Sequence, residues 1–117
     1  MKEARRVVIT GIGTINALGN NIEEYFSNLE KGVSGAREIT LFDATNFKSR
    51  IACEVKNYDW TKYFDRKEAR KYDRFCQFAL VAATEAVEDA NYDFDTLDKE
   101  RAGVVWSSGI GGIQSFQ

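Results

Sequence analysis

The sequence predicts an α/β fold in which helices pack on a layered sheet. Two short apolar runs, at residues 5–13 and 102–108, have the composition of buried strands. Helical periodicity occupies residues 18–35 and 66–90, and the region between them lacks it. This alternation of strand and helix is typical of an α/β sheet. No repeat or linker divides the chain, so we expect residues 1–117 to belong to one domain.

The first predicted strand, RRVVITGIG, is rich in β-branched side chains and ends in glycines. Its continuation, GIGTINALG, is like the start of a dinucleotide-binding loop, but Asn16 stands where the third glycine of that motif belongs. No second strand ending in an acidic residue follows about 20 positions later. We therefore expect Gly11 and Gly13 to turn the chain sharply against neighbouring backbone, and we do not expect a nucleotide site.

The first helix is predicted within residues 18–35. Asn20 or Asn21 can cap its start, and Gly32 can end it. Glutamates in its first turn agree with the helix dipole. Its apolar stripe consists of Ile22, Tyr25, Phe26 and Leu29.

Residues 39–60 are predicted to form loops and one strand, at 49–55. Cys53 lies in that strand, and Cys76 lies on the apolar stripe of the helix predicted next. Neither cysteine has a histidine to activate it, because the chain contains none. We therefore expect both thiols to be buried structural groups.

A long helix is predicted over residues 66–90. Asp65 can cap its start, with Glu68 three positions on as in a capping box, and Asn91 can end it. Its apolar surface widens in the second half, which we expect to be covered by further protein or by a second subunit. That surface comprises Ala69, Tyr72, Phe75, Cys76, Phe78, Ala79, Val81, Ala82, Ala83, Ala86, Val87 and Ala90.

Five cations occupy the first turns of this helix, in a chain with a net charge of −2. At about 100° per residue they fall within an arc of about 140°, opposite the apolar face. Positive charges at a helix start oppose the helix dipole by roughly 0.3–1 kcal/mol each. They could form a solvated charged face, or a docking site that steers an acidic partner. The five are Arg66, Lys67, Arg70, Lys71 and Arg74.

The loop SSGIGG, at residues 107–112, follows the second predicted strand and places Ile110 among three glycines. One interpretation is a plain turn at the strand end, with Ile110 in the core. The other is a flexible loop that lines an apolar ligand channel, with Ile110 as its movable wall.

Composition excludes several classes of protein. A pI near 5.2 argues against a general nucleic-acid binder. No apolar run approaches the ~18 residues of a membrane span, and the N-terminus is a poor signal peptide. Two distant cysteines without metal-type spacing indicate reduced thiols in the cytoplasm. The absence of histidine removes Ser-His and Cys-His nucleophile pairs from anything that this chain builds alone.

Four segments of the chain resemble one enzyme family. RRVVITGIGTINALGN, FDATNFKSRIACEVKNYDW, DRKEARKYDRF and GVVWSSGIGG occur in the order and spacing of the N-terminal part of the β-ketoacyl-acyl-carrier-protein synthases. The sequence is most similar to the elongating type II enzymes of bacterial fatty acid synthesis. The resemblance covers essentially all 117 residues.

The resemblance implies a thiolase-like fold of two similar halves, stacked as five α-β-α-β-α layers, in a homodimer. This chain would be the first part of the N-terminal half, which agrees with a sequence that stops in mid-element. The family's nucleophilic cysteine and its two active-site histidines lie further along, beyond Gln117. We therefore assign no catalytic residue here and expect the 117-residue fragment alone to be inactive.

Two features of the family do match residues of this chain. Lys67, Arg70 and Lys71 match positions that dock acyl carrier protein, a small acidic partner that carries its acyl chain on a phosphopantetheine arm. Ile110 matches the isoleucine that gates the acyl pocket of the type II enzymes. No further cofactor, metal, nucleic acid or membrane is implied.

The implied activity is decarboxylative Claisen condensation of an acyl thioester with malonyl-carrier protein, which makes the complete protein an acyltransferase. Polyketide ketosynthases and non-catalytic chain-length factors share this N-terminal half. A stand-alone module whose basic helix binds the carrier fits the same residues. The sequence beyond this chain would distinguish the relatives.

Overall fold

Helices form most of the regular structure of the chain, which a computed structural model describes for residues 4–113. Strands β1 and β2 pair antiparallel, with Arg37 opposite Ala52 and Glu38 opposite Ile51. Single 3-10 turns lie at Trp60–Lys62 and Phe94–Thr96. The helices and strands are α1 (Ile22–Glu30), β1 (Arg37–Glu38), β2 (Ile51–Ala52), α2 (Arg66–Ala69) and α3 (Arg74–Ala90).

The local signals predicted for α1 are confirmed. Asn21 has extended backbone, and its side chain accepts a hydrogen bond of 2.8 Å from the amide of Glu24. Lys31 is the C-cap, and Gly32 follows with φ +65°, a left-handed conformation that glycine adopts at little cost. These interactions lie within a few residues of one another, so the sequence alone could specify them.

The prediction of one continuous helix over 66–90 is wrong, because the chain leaves the helix between Ala69 and Arg74. In an unbroken helix, the carbonyls of Ala69 and Tyr72 would accept from amides four residues on. Here the side-chain amide of Gln77 donates to both, at 3.0 and 3.1 Å. The far end was predicted well, because Asn91 adopts a left-handed conformation with φ 45° and ends α3.

Two of the three predicted strands do not form within residues 4–113, and the third is short. The runs 5–13 and 102–108 pair with no strand, and the predicted strand at 49–55 shrinks to β2. Their side chains are open to solvent, with Val7 88% and Val105 99% exposed. A strand requires a neighbouring strand to hydrogen-bond with, and the part of the chain described here supplies none to either run.

The small core lies on α3. Among residues 4–113 the buried apolar side chains are Ala44, Val81 and Ala82. The second half of α3 is not covered all round by described residues, since Leu80 and Val87 are each more than two-fifths exposed. The helix therefore packs on one side and presents an apolar surface on the other.

Candidate functional site

The three predicted docking cations lie together on α2 and the turn after it. Asp65 starts α2, and its side chain accepts from the amide of Glu68 at 2.7 Å, as the capping-box pattern predicted. Lys67 lies within α2, Arg70 is its C-cap, and Lys71 follows; all three side chains are exposed. We call these three residues the basic surface.

Within residues 4–113, no carboxylate forms an ion pair with the basic surface. None of the side-chain hydrogen bonds or ion pairs found within residues 4–113 involves Lys67, Arg70 or Lys71. Arg74, a fourth member of the predicted cluster, differs from them. It donates to the carbonyl of Val55 at 3.3 Å and lies 5.3 Å from the ring centroid of Phe78. Arg74 therefore anchors α3 to the preceding loop, whereas the side chains of the other four cations, Arg66 included, make no such contact within residues 4–113.

The predicted electrostatic penalty does not apply to Arg70 and Lys71. Because α2 ends at Ala69, Arg70 is its C-cap and Lys71 follows it, so neither cation stands in the first turn of a helix; Lys67 lies within the single turn of α2. Only Arg74 stands in the first turn of α3. What marks the basic surface is therefore its exposure, together with the lack of a carboxylate partner among the residues that the structure describes.

Aromatic side chains pack against the first turns of α3. The ring of Tyr58 stacks on Tyr63 at a centroid distance of 6.1 Å and meets Phe78 edge-on at 5.0 Å. Burial, and secondarily the neighbouring Tyr63, raises the pKa of Tyr58 above its ordinary value. The hydroxyl is therefore protonated at neutral pH, and it donates to the side-chain oxygen of Gln77 at 2.9 Å.

The predicted gate residue, Ile110, lies in an exposed loop. Its side chain is 78% exposed, so the interpretation that places it in the core does not apply to the structure of residues 4–113. Gly111 follows with φ +80°, a conformation that favours glycine. The loop therefore presents Ile110 outward, and nothing in the described residues packs it away.

Two apolar grooves lie beside this loop, separated by Phe75 and Phe78, which line both. One, of about 360 Å³, is also lined by Leu41, Cys53, Val55, Gly111, Gly112 and Ile113. The other, of about 280 Å³, reaches Ile15, Trp106 and Ser107. Ile110 lines neither groove, although its neighbour Gly111 lines the larger one. The helical pattern predicts Phe75 and Phe78 on an apolar surface. It does not indicate that these two rings form a wall between two grooves.

The expectation that both thiols are buried is wrong for Cys53, which is exposed, whereas Cys76 is half-buried. The reason is the short β2, which ends at Ala52 and leaves Cys53 at the rim of the larger groove.

The glycines of the first motif allow close packing on α3, as predicted. A methyl group on Gly13 would overlap the carbonyl oxygen of Ala82, and one on Gly11 would overlap that of Ala86. The side chains of α3 also bind this segment: Asp89 accepts from the amide of Ile12 at 2.9 Å. The glycines therefore let backbone lie directly on a helix, where a nucleotide would have no room.

Glu85 of α3 holds two further points of the chain, and the sequence analysis missed it. Its carboxylate accepts from the amide of Thr14 at 2.8 Å and from that of Ile22 at 2.7 Å. The two bonds join α3 to the start of α1 across large separations in sequence. A glutamate on a helix gives no pattern that would reveal such contacts.

No helix within residues 4–113 combines the length and the apolar character needed to cross a bilayer.

Comparison with known proteins identifies the family. The family described as "Beta-ketoacyl synthase, N-terminal domain" matches residues 4–117. The 3-oxoacyl-[acyl-carrier-protein] synthase 2 of Staphylococcus aureus is 43% identical over all 117 residues of the chain. The chain spans 28% of the length of that relative.

Solved structures share the fold. The ishigamide ketosynthase/chain length factor is 41% identical, with a TM-score of 0.69 over 80% of this chain and 23% of the other. A β-ketoacyl synthase from Burkholderia phymatum is 29% identical, with a TM-score of 0.62 over 83% of this chain and 24% of the other. The fold is thus that of the ketosynthases, and the chain belongs to the family of the β-ketoacyl synthase N-terminal domain.

Proposed function

We propose that the complete protein is a β-ketoacyl-acyl-carrier-protein synthase of fatty acid biosynthesis, and that this chain supplies its carrier-docking surface. The observation that carries the proposal is the 43% identity, over the whole chain, to 3-oxoacyl-[acyl-carrier-protein] synthase 2. The basic surface supports it, because three exposed cations that have no carboxylate partner in the described part of the chain suit a small acidic carrier.

The architecture proposed for the complete protein is the five-layer thiolase-like fold, as a cytoplasmic homodimer without a further cofactor. In that fold, residues 5–13 and 102–108 would join the central sheet. Their exposed apolar side chains, such as Val7 and Val105, support this assignment, because burying them would contribute roughly 1.5–3 kcal/mol each.

The proposed reaction is a decarboxylative condensation. A cysteine thiolate outside this chain takes the acyl group from its carrier and releases the carrier thiol. Malonyl-carrier then loses CO₂, and the resulting carbanion attacks the acyl thioester, which releases the cysteine and gives a β-ketoacyl-carrier two carbons longer. Hydrogen-bond donors stabilise the oxyanions that form. This chain contains no histidine, so its share in the reaction is docking the carrier and lining the acyl pocket.

A condensation assay tests the proposed function. The complete protein, given an acyl-carrier and malonyl-carrier, should release CO₂ and form the β-ketoacyl-carrier, detected by mass spectrometry of the carrier. Omission of malonyl-carrier is the control. No product despite intact carrier binding would overturn the enzymatic proposal in favour of a non-catalytic chain-length factor. The 41% identity to the ishigamide ketosynthase/chain length factor makes that the second candidate.

The substitution Ile110→Phe tests the proposed gate. We expect kcat/KM for long acyl primers to fall about 10-fold or more, with little change for short primers, because a larger side chain obstructs a pocket that must admit the whole chain. Primers of several lengths, supplied in competition, provide the measurement. Ile110→Leu keeps the volume and serves as the matched control. An unaltered chain-length preference of the Phe variant would remove Ile110 from the pocket wall.

A further inference from the structure

The side chain of Gln77 makes three hydrogen bonds at the break between α2 and α3. Its amide nitrogen donates to the carbonyl of Ala69 at 3.0 Å and to that of Tyr72 at 3.1 Å. Its oxygen accepts from the hydroxyl of Tyr58 at 2.9 Å. Both hydrogens of the Gln77 amide group therefore donate, and its oxygen uses one acceptor site.

Two of these bonds hold the backbone on either side of two residues of the basic surface. Ala69 and Tyr72 are the residues immediately before and after Arg70 and Lys71 in the turn. The carbonyls that Gln77 holds therefore flank two of the three docking cations. The turn has one further backbone bond close by, from the amide of Lys71 to the carbonyl of Glu68 at 2.9 Å.

Tyr58 fixes Gln77 from the other side. The Tyr58 ring lies against Phe78 and Tyr63, so its hydroxyl is presented by a packed aromatic group. Gln77 itself lies in α3, which also carries the side-chain bonds to Ile12, Thr14 and Ile22. The turn that bears the cations is thus tied to the most extensively bonded helix of the described chain.

We propose that Gln77 is a positioning residue for carrier docking, which holds the turn of Arg70 and Lys71 in the conformation that the carrier meets. The inference rests on the proposed function. Lysine and arginine side chains are flexible, so a fixed backbone is the main way to preorganise a basic surface. A turn that must be ordered at each encounter binds more weakly, because the cost of ordering is taken from the affinity.

The experiment compares carrier-bound and carrier-free substrates in the complete enzyme. Gln77→Met keeps the side-chain length and removes all three hydrogen bonds. We expect it to raise KM for the acyl-carrier, and to lower the preference for acyl-carrier over the same acyl chain on free pantetheine by about 3- to 10-fold. Tyr58→Phe, which removes one bond only, should shift the preference in the same direction by less.

The matched control is Asn28→Leu. Asn28 also uses its amide to hold a backbone carbonyl, that of Leu18 at 2.6 Å, but it lies on α1 and bonds to no residue of the turn that carries the basic surface. The preference should not change in this variant. A general structural role for Gln77 would lower turnover of both substrates equally, and such a result would overturn the inference.

A combined variant separates this inference from the proposed function. If the basic surface is first reversed to glutamate, adding Gln77→Met should give no further loss of carrier preference, because both changes act through one contact. If charge reversal weakens carrier use and Gln77→Met does not, the inference fails and the docking surface stands. If neither change has an effect, the docking surface fails, and the role of Gln77 fails with it.

Discussion

Charge reversal of the basic surface should weaken carrier binding by the complete enzyme about 10- to 100-fold at low ionic strength. The variant is Lys67→Glu, Arg70→Glu and Lys71→Glu together. All three side chains are exposed and lack carboxylate partners within residues 4–113, so reversal destroys no internal ion pair of this region. The loss should appear mainly in the association rate, because exposed charges steer the encounter.

Ionic strength provides the second measurement on the same variant. Screening over about 10 Å at 0.1 M salt should weaken carrier binding by the unaltered enzyme, whereas the reversed variant should show a flat or inverted salt response. The control reverses Lys48, Lys99 and Arg101, which are exposed and change the net charge by the same amount. Equal loss of affinity in this control would indicate a general charge effect and contradict a specific docking surface. Titration of each variant with the carrier, at several salt concentrations, distinguishes a specific docking surface from a general charge effect.

The substitution Gly13→Ala should lower the free energy of unfolding by about 3 kcal/mol or more, which is large for the addition of a single methyl group. The added carbon would overlap the carbonyl oxygen of Ala82 and lie 2.7 Å from the amide nitrogen of Ala86. Both are backbone atoms inside α3, so they cannot rotate away as a side chain would. The segment must then lift off the helix, which would also stretch the bond from Thr14 to Glu85.

Gly109→Ala is the matched control, because a methyl group there meets nothing within 4 Å in the described chain, its backbone needs no left-handed conformation, and it lies outside the runs proposed to join the sheet. Denaturant unfolding of the complete protein, monitored by tryptophan fluorescence, measures both variants. We expect a clear fall in the midpoint for Gly13→Ala and a small change for Gly109→Ala. Equal midpoints for the two variants would show that α3 and the glycine segment separate freely.

Local interactions account for what could be predicted from the sequence. The cap of α1 at Asn21, the cap of α2 at Asp65 and the end of α3 at Asn91 all depend on residues within one helical turn. The close approach of Gly11 and Gly13 to other backbone was also correct. The family followed from four motifs in register, and the comparison confirmed it.

Interactions between distant residues account for what was missed. The break after Ala69 has no glycine or proline to mark it, because it is made by the side chain of Gln77 from the next helix. The strand patterns at 5–13 and 102–108 do not indicate whether the described chain contains a neighbouring strand for them to pair with. The cations of the basic surface form a visible cluster in the sequence, but their exposure, the anchoring role of Arg74 and the position of Gln77 depend on packing.

The carboxylate of Glu85 gives the loop between Thr14 and Ile22 a fixed length. One oxygen holds the beginning of that loop and the other holds its end, and Asn16 closes the middle through its bond to the carbonyl of Gly19. An inserted or deleted residue would move one amide out of reach of an acceptor that cannot follow it. Relatives that keep this glutamate should therefore vary in the identity of the loop residues and not in their number.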